Sequence, residues 1–290
     1  MRFFCLALRV IGHYTDKELH SFLEENFERY NRPDFIKSDP ISIPHLFSKK
    51  QDIEIAGFLT ATIAWGQRPT IIKNANELMN RMDMAPHDFI MNHTKKDLLQ
   101  FKNFKHRTFN GIDCTFFLRS LQNIYRKHKS MEDVFSPLSL NNRAKSEGWE
   151  RSSGVGPVPI GASGGEAKEA ITNFRKTFFS IPHPQRIEKH VSNPEANSSS
   201  KRLNMFLRWM VRKDKCGVDF GIWNNIKMSE LMCPLDVHSG NVARKLGLLH
   251  RKQNDWQSVE ELTSRLRVFD RKDPAKYDFA LFGLGVFEKY

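Results

Sequence analysis

The chain has 290 residues, enough for one or two domains with a sizeable core, and its 45 Lys and Arg against 33 Asp and Glu leave a net charge of +12. That excess favours a polyanionic partner, nucleic acid before an acidic membrane surface. Cys5, Cys114, Cys216 and Cys233 form no Cys-x-x-Cys pair, which argues against a zinc ribbon or a cysteine-ligated iron–sulfur cluster and fits reduced thiols in the cytoplasm. No apolar run reaches the roughly 18 residues of a membrane span, so no membrane association is expected, and neither a metal nor a cofactor is expected.

Residues 3–11 are a short apolar start interrupted by Arg9, which reads as a helix or extended segment and not as a signal peptide. Thr15 can cap a helix that Glu18 completes as a capping box, and Leu19, Phe22, Leu23 and Phe27 recur at helical spacing. Residues 52–65 are strongly apolar; their length and alanines favour a buried helix over a strand. Gly66-Gln67-Arg68-Pro69 breaks it, and residues 70–82 resume as an amphipathic helix. Residues 113–128 predict another helix, with Phe116, Phe117, Leu121 and Ile124 inward. The Ser/Gly/Pro-rich stretch 141–165 has no period and reads as a mobile loop or insertion. Helix returns over 166–179, after Lys201, and over 256–268 and 274–287, so the fold class is all-α.

Two short segments carry chemistry. Asp236 stands where a proline-entered turn passes into a short basic helix that Gly247 ends. An Asp there is a favoured N-cap worth about 1 kcal/mol, and it can also be a catalytic acid. Lys201 follows Asn197-Ser198-Ser199-Ser200 and opens an apolar helix carrying Leu203, Phe206, Leu207 and Met210. The helix dipole disfavours positive charge at that end, and a free amine is a nucleophile able to form a Schiff base. By residue type alone a solvated lysine is the commoner outcome. Trp65 and Trp209 read as core before base-stacking platforms.

Leu235-Asp236-Val237-His238 followed by Val242-Ala243-Arg244 resembles the catalytic aspartate segment of the helix–hairpin–helix DNA glycosylases. Lys201-Arg202-Leu203-Asn204-Met205-Phe206-Leu207 resembles the helix that carries the lysine nucleophile in bifunctional members, and residues 52–76 resemble the early helix–turn–helix, here with Gln67 and Arg68 at the turn. Lys276-Tyr277-Asp278-Phe279-Ala280-Leu281-Phe282-Gly283 resembles the late helix that supplies base-pocket residues in oxidised-guanine glycosylases. The pattern spans about 52–285 and is nearest to the archaeal type of 8-oxoguanine glycosylase; the 234–248 and 276–288 segments also resemble a widespread bacterial family of uncharacterised proteins. One departure is plain: the superfamily's hairpin reads approximately Leu-Pro-Gly-x-Gly-x-Lys, and this chain has no glycine there.

The resemblance implies a two-lobed helical fold, with residues 1–51 and 236–290 as one lobe and a helical barrel over 52–235 as the other. It implies a monomeric base-excision glycosylase with AP-lyase activity, acting on double-stranded DNA whose damaged, oxidised-purine-like base is flipped out. Lys201 would be the nucleophile and Asp236 the catalytic acid, with Asp278, Phe282 and His238 at the base pocket. Gln67, Arg68, Ser199, Ser200, Arg202, Arg244 and Lys245 would contact DNA, with Arg208, Arg212 and Lys213 as further phosphate contacts. Two other readings are a non-catalytic nucleic-acid-binding protein on the same fold and a basic helical scaffold for a protein partner. The glycosylase reading requires the Lys201 amine and an Asp236 oxygen to meet in one cleft.

Overall fold

A computed structural model describes residues 14–136, 164–288 and 290. The apolar start at 3–11 and all but the end of the 141–165 stretch lie outside the described residues. Twelve α-helices follow in chain order among them: α1 Asp16–Tyr30, α2 Pro33–Ser38, α3 Lys50–Thr62, α4 Arg68–Asn80, α5 Pro86–Asn92, α6 Gly111–Tyr125, α7 Glu132–Phe135, α8 Gly164–Phe178, α9 Lys201–Val211, α10 Val237–Lys245, α11 Trp256–Phe269 and α12 Asp278–Phe287. Between α5 and α6 a small antiparallel ribbon pairs β1 (Lys105–His106) with β2 (Phe109–Asn110). No described helix is long and apolar enough to cross a membrane.

The local signals behave as their chemistry dictates. Thr15 and Glu18 close the capping box of α1. The apolar stretch after Lys50 is a helix, α3, with every residue from Ile53 to Thr62 buried. Gly247 ends the α10 segment in the left-handed region, at φ +69°. Asp236 caps α10: its carboxylate accepts from the Ser239 N–H at 2.9 Å, and Ser239 Oγ accepts from the Asp236 N–H at 2.9 Å.

An aromatic centre joins the middle of the chain. Phe58 on α3 stacks on Phe117 of α6 at 5.7 Å and meets Phe174 and Phe178 of α8 and Phe206 of α9 edge-on. Such pairs add about 0.5–1.5 kcal/mol each beyond the burial of their area. α12 is apolar almost throughout and packs against both α1 and α10, because a helix without a polar stripe needs cover on several sides.

Gly283 permits that packing, since a Cβ at this position would land on the Tyr30 ring of α1. Gly283→Ala is therefore expected to destabilise the fold by about 1–3 kcal/mol through overpacking, read as a lowered urea midpoint. Tyr30→Ala should recover part of that loss when the two are combined; a strictly additive double variant would contradict the steric account.

Candidate active site

Four helix ends, two turns and α12 converge on one cavity of about 570 Å³. The turn at Asp39-Pro40, the end of α3 with Trp65, the start of α4 with Arg68, the 198–200 turn with Lys201 and Arg202, the start of α10 with Asp236 and His238, and Phe282 of α12 all line it.

Lys201 and Asp236 meet there. Lys201 Nζ lies 3.0 Å from Asp236 Oδ2, with side chains 27% and 19% exposed, so the pair is shielded yet reachable. Each carboxylate oxygen has its own partner: Oδ1 accepts the Ser239 N–H, and Oδ2 faces the lysine. Burial pushes the Asp236 carboxyl up, but Lys201 and the Ser239 N–H outweigh it and hold the group below its ordinary value. The cap thus fixes the position of the carboxylate, and the lysine keeps it ionised.

The remaining sequence-expected residues divide. His238 and Phe282 line the cavity, and so do Arg68, Ser199, Ser200 and Arg202. Phe282 does not offer a bare ring face, because the Arg68 guanidinium lies over it at 4.8 Å and over Phe287 at 5.0 Å. Arg68 Nη2 is buried without a hydrogen-bond partner, a donor that an acceptor on a bound ligand would satisfy. Ser200 is fully buried, with its N–H and Oγ turned back on Ser198, so its hydroxyl does not reach a phosphate outside. Arg202 donates to the Thr62 carbonyl and stacks over Trp65 at 4.7 Å; its burial pushes the guanidinium down to about 10.

Arg244 is occupied by the loop after α10, donating to the Arg251 and Gln253 carbonyls and the Asn254 side chain. Arg202 and Arg244 thus each have intramolecular partners and are only partly exposed. Gln67, Lys213 and Lys245 remain exposed.

Asp278 is placed differently from its expected role. It is not among the residues lining the cavity and is bonded to the buried Arg208, close enough to the lysine–aspartate pair to feel its charges. Burial pushes its carboxyl up to about 6, against the pull of Arg208 and with the nearby Asp236 adding to the rise. Arg208 and Arg212, expected at phosphates, are instead 4% and 1% exposed and paired internally. Arg208 meets Asp219 and Asp278, and Arg212 meets Asp214, Asp219 and Asp273. Charges this deep persist only when paired.

Two wall residues escaped the sequence reading. Trp209 is core, but Trp65 is partly open and forms a wall of the cavity. Asp39 is a buried carboxylate on the same wall, and only its place before Pro40, a turn-starting pair, marked it. Among the described residues no group of three His, Cys, Asp or Glu side chains is placed to hold a metal ion.

Fold and site define a predominantly helical protein with a lysine–aspartate pair on the wall of a cleft between helix ends. Residues 39–287 match the family model described as "Protein of unknown function (DUF2400)", and the chain belongs to that family. No curated protein and no solved structure matches the chain.

Proposed function

We propose that the chain is a DNA base-excision glycosylase with AP-lyase activity, a two-lobed helical enzyme of helix–hairpin–helix type acting as a monomer on duplex DNA. The observation that carries this reading is the 3.0 Å approach of Lys201 Nζ to Asp236 Oδ2 in an aromatic-walled cavity. The two residues are 35 positions apart in the chain, and both stand at helix starts. The hairpin supports it as well. Asn197, four residues before Lys201, stands where the superfamily pattern has its first glycine, and its backbone takes φ +60°, a conformation glycine adopts freely and asparagine tolerates. The positive net charge suits a phosphate backbone.

A base reached by this site has left the stack, at a cost of a few kcal/mol. A cavity of about 570 Å³ is large enough for a purine. The base would lie against the guanidinium planes of Arg68 and Arg202 and the open part of Trp65, and its acceptors would satisfy Arg68 Nη2. An oxidised purine carries such acceptors. Lys201, once deprotonated, attacks C1′ of the sugar, and the C1′–N electron pair leaves with the base. Asp236, held ionised, stabilises the cationic sugar. Opening of the C1′–O4′ bond, with O4′ taking a proton from the amine adduct, gives a protonated Schiff base, which can lose the 3′ phosphate by β-elimination.

The test is borohydride trapping on duplexes carrying oxidised purines or a preformed abasic site. Wild-type protein should give a covalent protein–DNA adduct, and Lys201→Ala should reduce it at least 10³-fold, about the loss expected when a covalent nucleophile is removed. Absence of an adduct from the wild type on every duplex would overturn the reading. Salt-dependent DNA binding in that case would favour the non-catalytic nucleic-acid-binding alternative.

A further inference from the structure

A lysine nucleophile ion-paired with the carboxylate that serves it has a difficulty. The ammonium must lose a proton before it can attack, yet Asp236 must stay ionised to face the cationic sugar. If Asp236 takes the proton, it no longer carries the charge the transition state needs. A second acceptor in the same cavity would remove the conflict.

We infer that Asp39 is that acceptor: it receives the Lys201 proton, leaving Asp236 ionised throughout the displacement. This rests on the glycosylase reading above. Asp39 lines the cavity that Lys201 and Asp236 line, and it is 7% exposed. One of its oxygens, Oδ1, is held by the Ile41 N–H at 3.0 Å, where Asp39 caps the 3-10 turn Pro40–Ser42. The cap holds the carboxylate in place while leaving it capacity to accept a proton. Arg68 of α4 and Lys201 and Arg208 of α9 act on it as the surrounding cations, with Asp236 and His238 at the start of α10 lining the same cavity.

The two carboxylates differ in the direction this role requires. Burial pushes Asp39 up, only partly opposed by the Ile41 N–H and the three cations, whereas Asp236 is held down. The better base is therefore Asp39, and the better anion is Asp236. The proton passes from Nζ to an Asp39 oxygen through water in the cavity both residues line. The freed Nζ lone pair then forms the bond to C1′ as the glycosidic bond breaks, and the Asp39 proton is returned to the departing base or to water.

The experiment compares wild type with Asp39→Asn and Asp39→Ser, both of which keep a side-chain oxygen to cap the turn. The readout is the rate of borohydride-trapped adduct on preformed abasic-site DNA, followed from mildly acid to mildly alkaline pH. Trapping there needs a free amine but no base departure. The expected result is a loss of about 10²-fold near neutrality that shrinks as pH rises, because solvent then removes the lysine proton without help. Unchanged far-UV circular dichroism and thermal midpoint for either variant establish that the fold is kept. A variant profile parallel to wild type across the whole pH range, or no loss at all, would overturn the role of Asp39 while leaving the lysine chemistry intact. Failure of the wild type to form any adduct would instead overturn the glycosylase reading itself.

Discussion

Arg208→Ala is expected to lower unfolding stability by about 3–5 kcal/mol, the cost of leaving a buried charge without its partner. Arg208 lies inside α9, 4% exposed, with its guanidinium 4.2 Å above the Phe279 ring. It meets Asp219 at 3.3 Å and bonds Asp278, and Asp219 is shared with Arg212 at 3.1 Å. Truncation would orphan Asp278 and weaken the hold on Asp219. The loss should appear as a lowered urea midpoint, and pH should modulate it with a definite sign. Folded Asp278 keeps its proton up to about 6, higher than an unfolded aspartate does. Its ionisation therefore costs stability as pH rises through that window, and the deficit of Arg208→Ala should be smaller below pH about 5 than at pH about 7. Adding Asp278→Asn to Arg208→Ala should recover part of the deficit. A deficit independent of both pH and Asp278 would show that packing over Phe279, and not the orphaned charge, carries the effect.

The second large effect is expected at Asp236. Asp236→Asn keeps an oxygen for the Ser239 N–H, so α10 stays capped at little cost. What it removes is the negative charge 3.0 Å from the lysine. On the proposed glycosylase function, base release should fall by about 10²–10⁴-fold, the range for losing a group that stabilises charge in the transition state. Adduct formation on preformed abasic DNA should fall much less, because no base leaves there. The comparison is made by single-turnover rates on the two duplexes with one protein preparation. Equal losses on both would assign Asp236 to holding the lysine and not to the departing base.

The two variants probe adjoining layers of one structure. Asp278 stands between them: it is bonded to Arg208 on one side and feels the charges of Asp236 and Lys201 on the other. The buried ion network thus lies close to the lysine–aspartate pair, and α12 lines the cavity through Phe282 and Val286. Arg68, seated on Phe282, belongs to the cavity wall and not to the exposed turn that Gln67 occupies.

The amino-acid sequence by itself determined the longer helices and several of their ends, whereas the short helices α2, α5 and α7 carried no periodic signal. Thr15 with Glu18, Asp236 with Ser239, and Gly247 act within one turn of the chain, and the apolar spacing of Leu203, Phe206, Leu207 and Met210 defines a buried face without reference to any other segment. It also marked Lys201 and Asp236, because the segments around them resemble glycosylase segments, although each residue alone has a plain reading as a cap or a solvated charge. Only the tertiary structure decided what surrounds them. Arg208 and Arg212 belong to a helix that reads as amphipathic, so spacing alone turns them toward solvent; their partners Asp219, Asp273 and Asp278 come from other segments and draw them inside. Arg202 and Arg244 were likewise claimed by backbone carbonyls that no local pattern announces. Asp39 became part of the cavity for the same reason: a turn-starting aspartate is a local feature, but sharing a cavity with Lys201 depends on how distant helix ends are packed together.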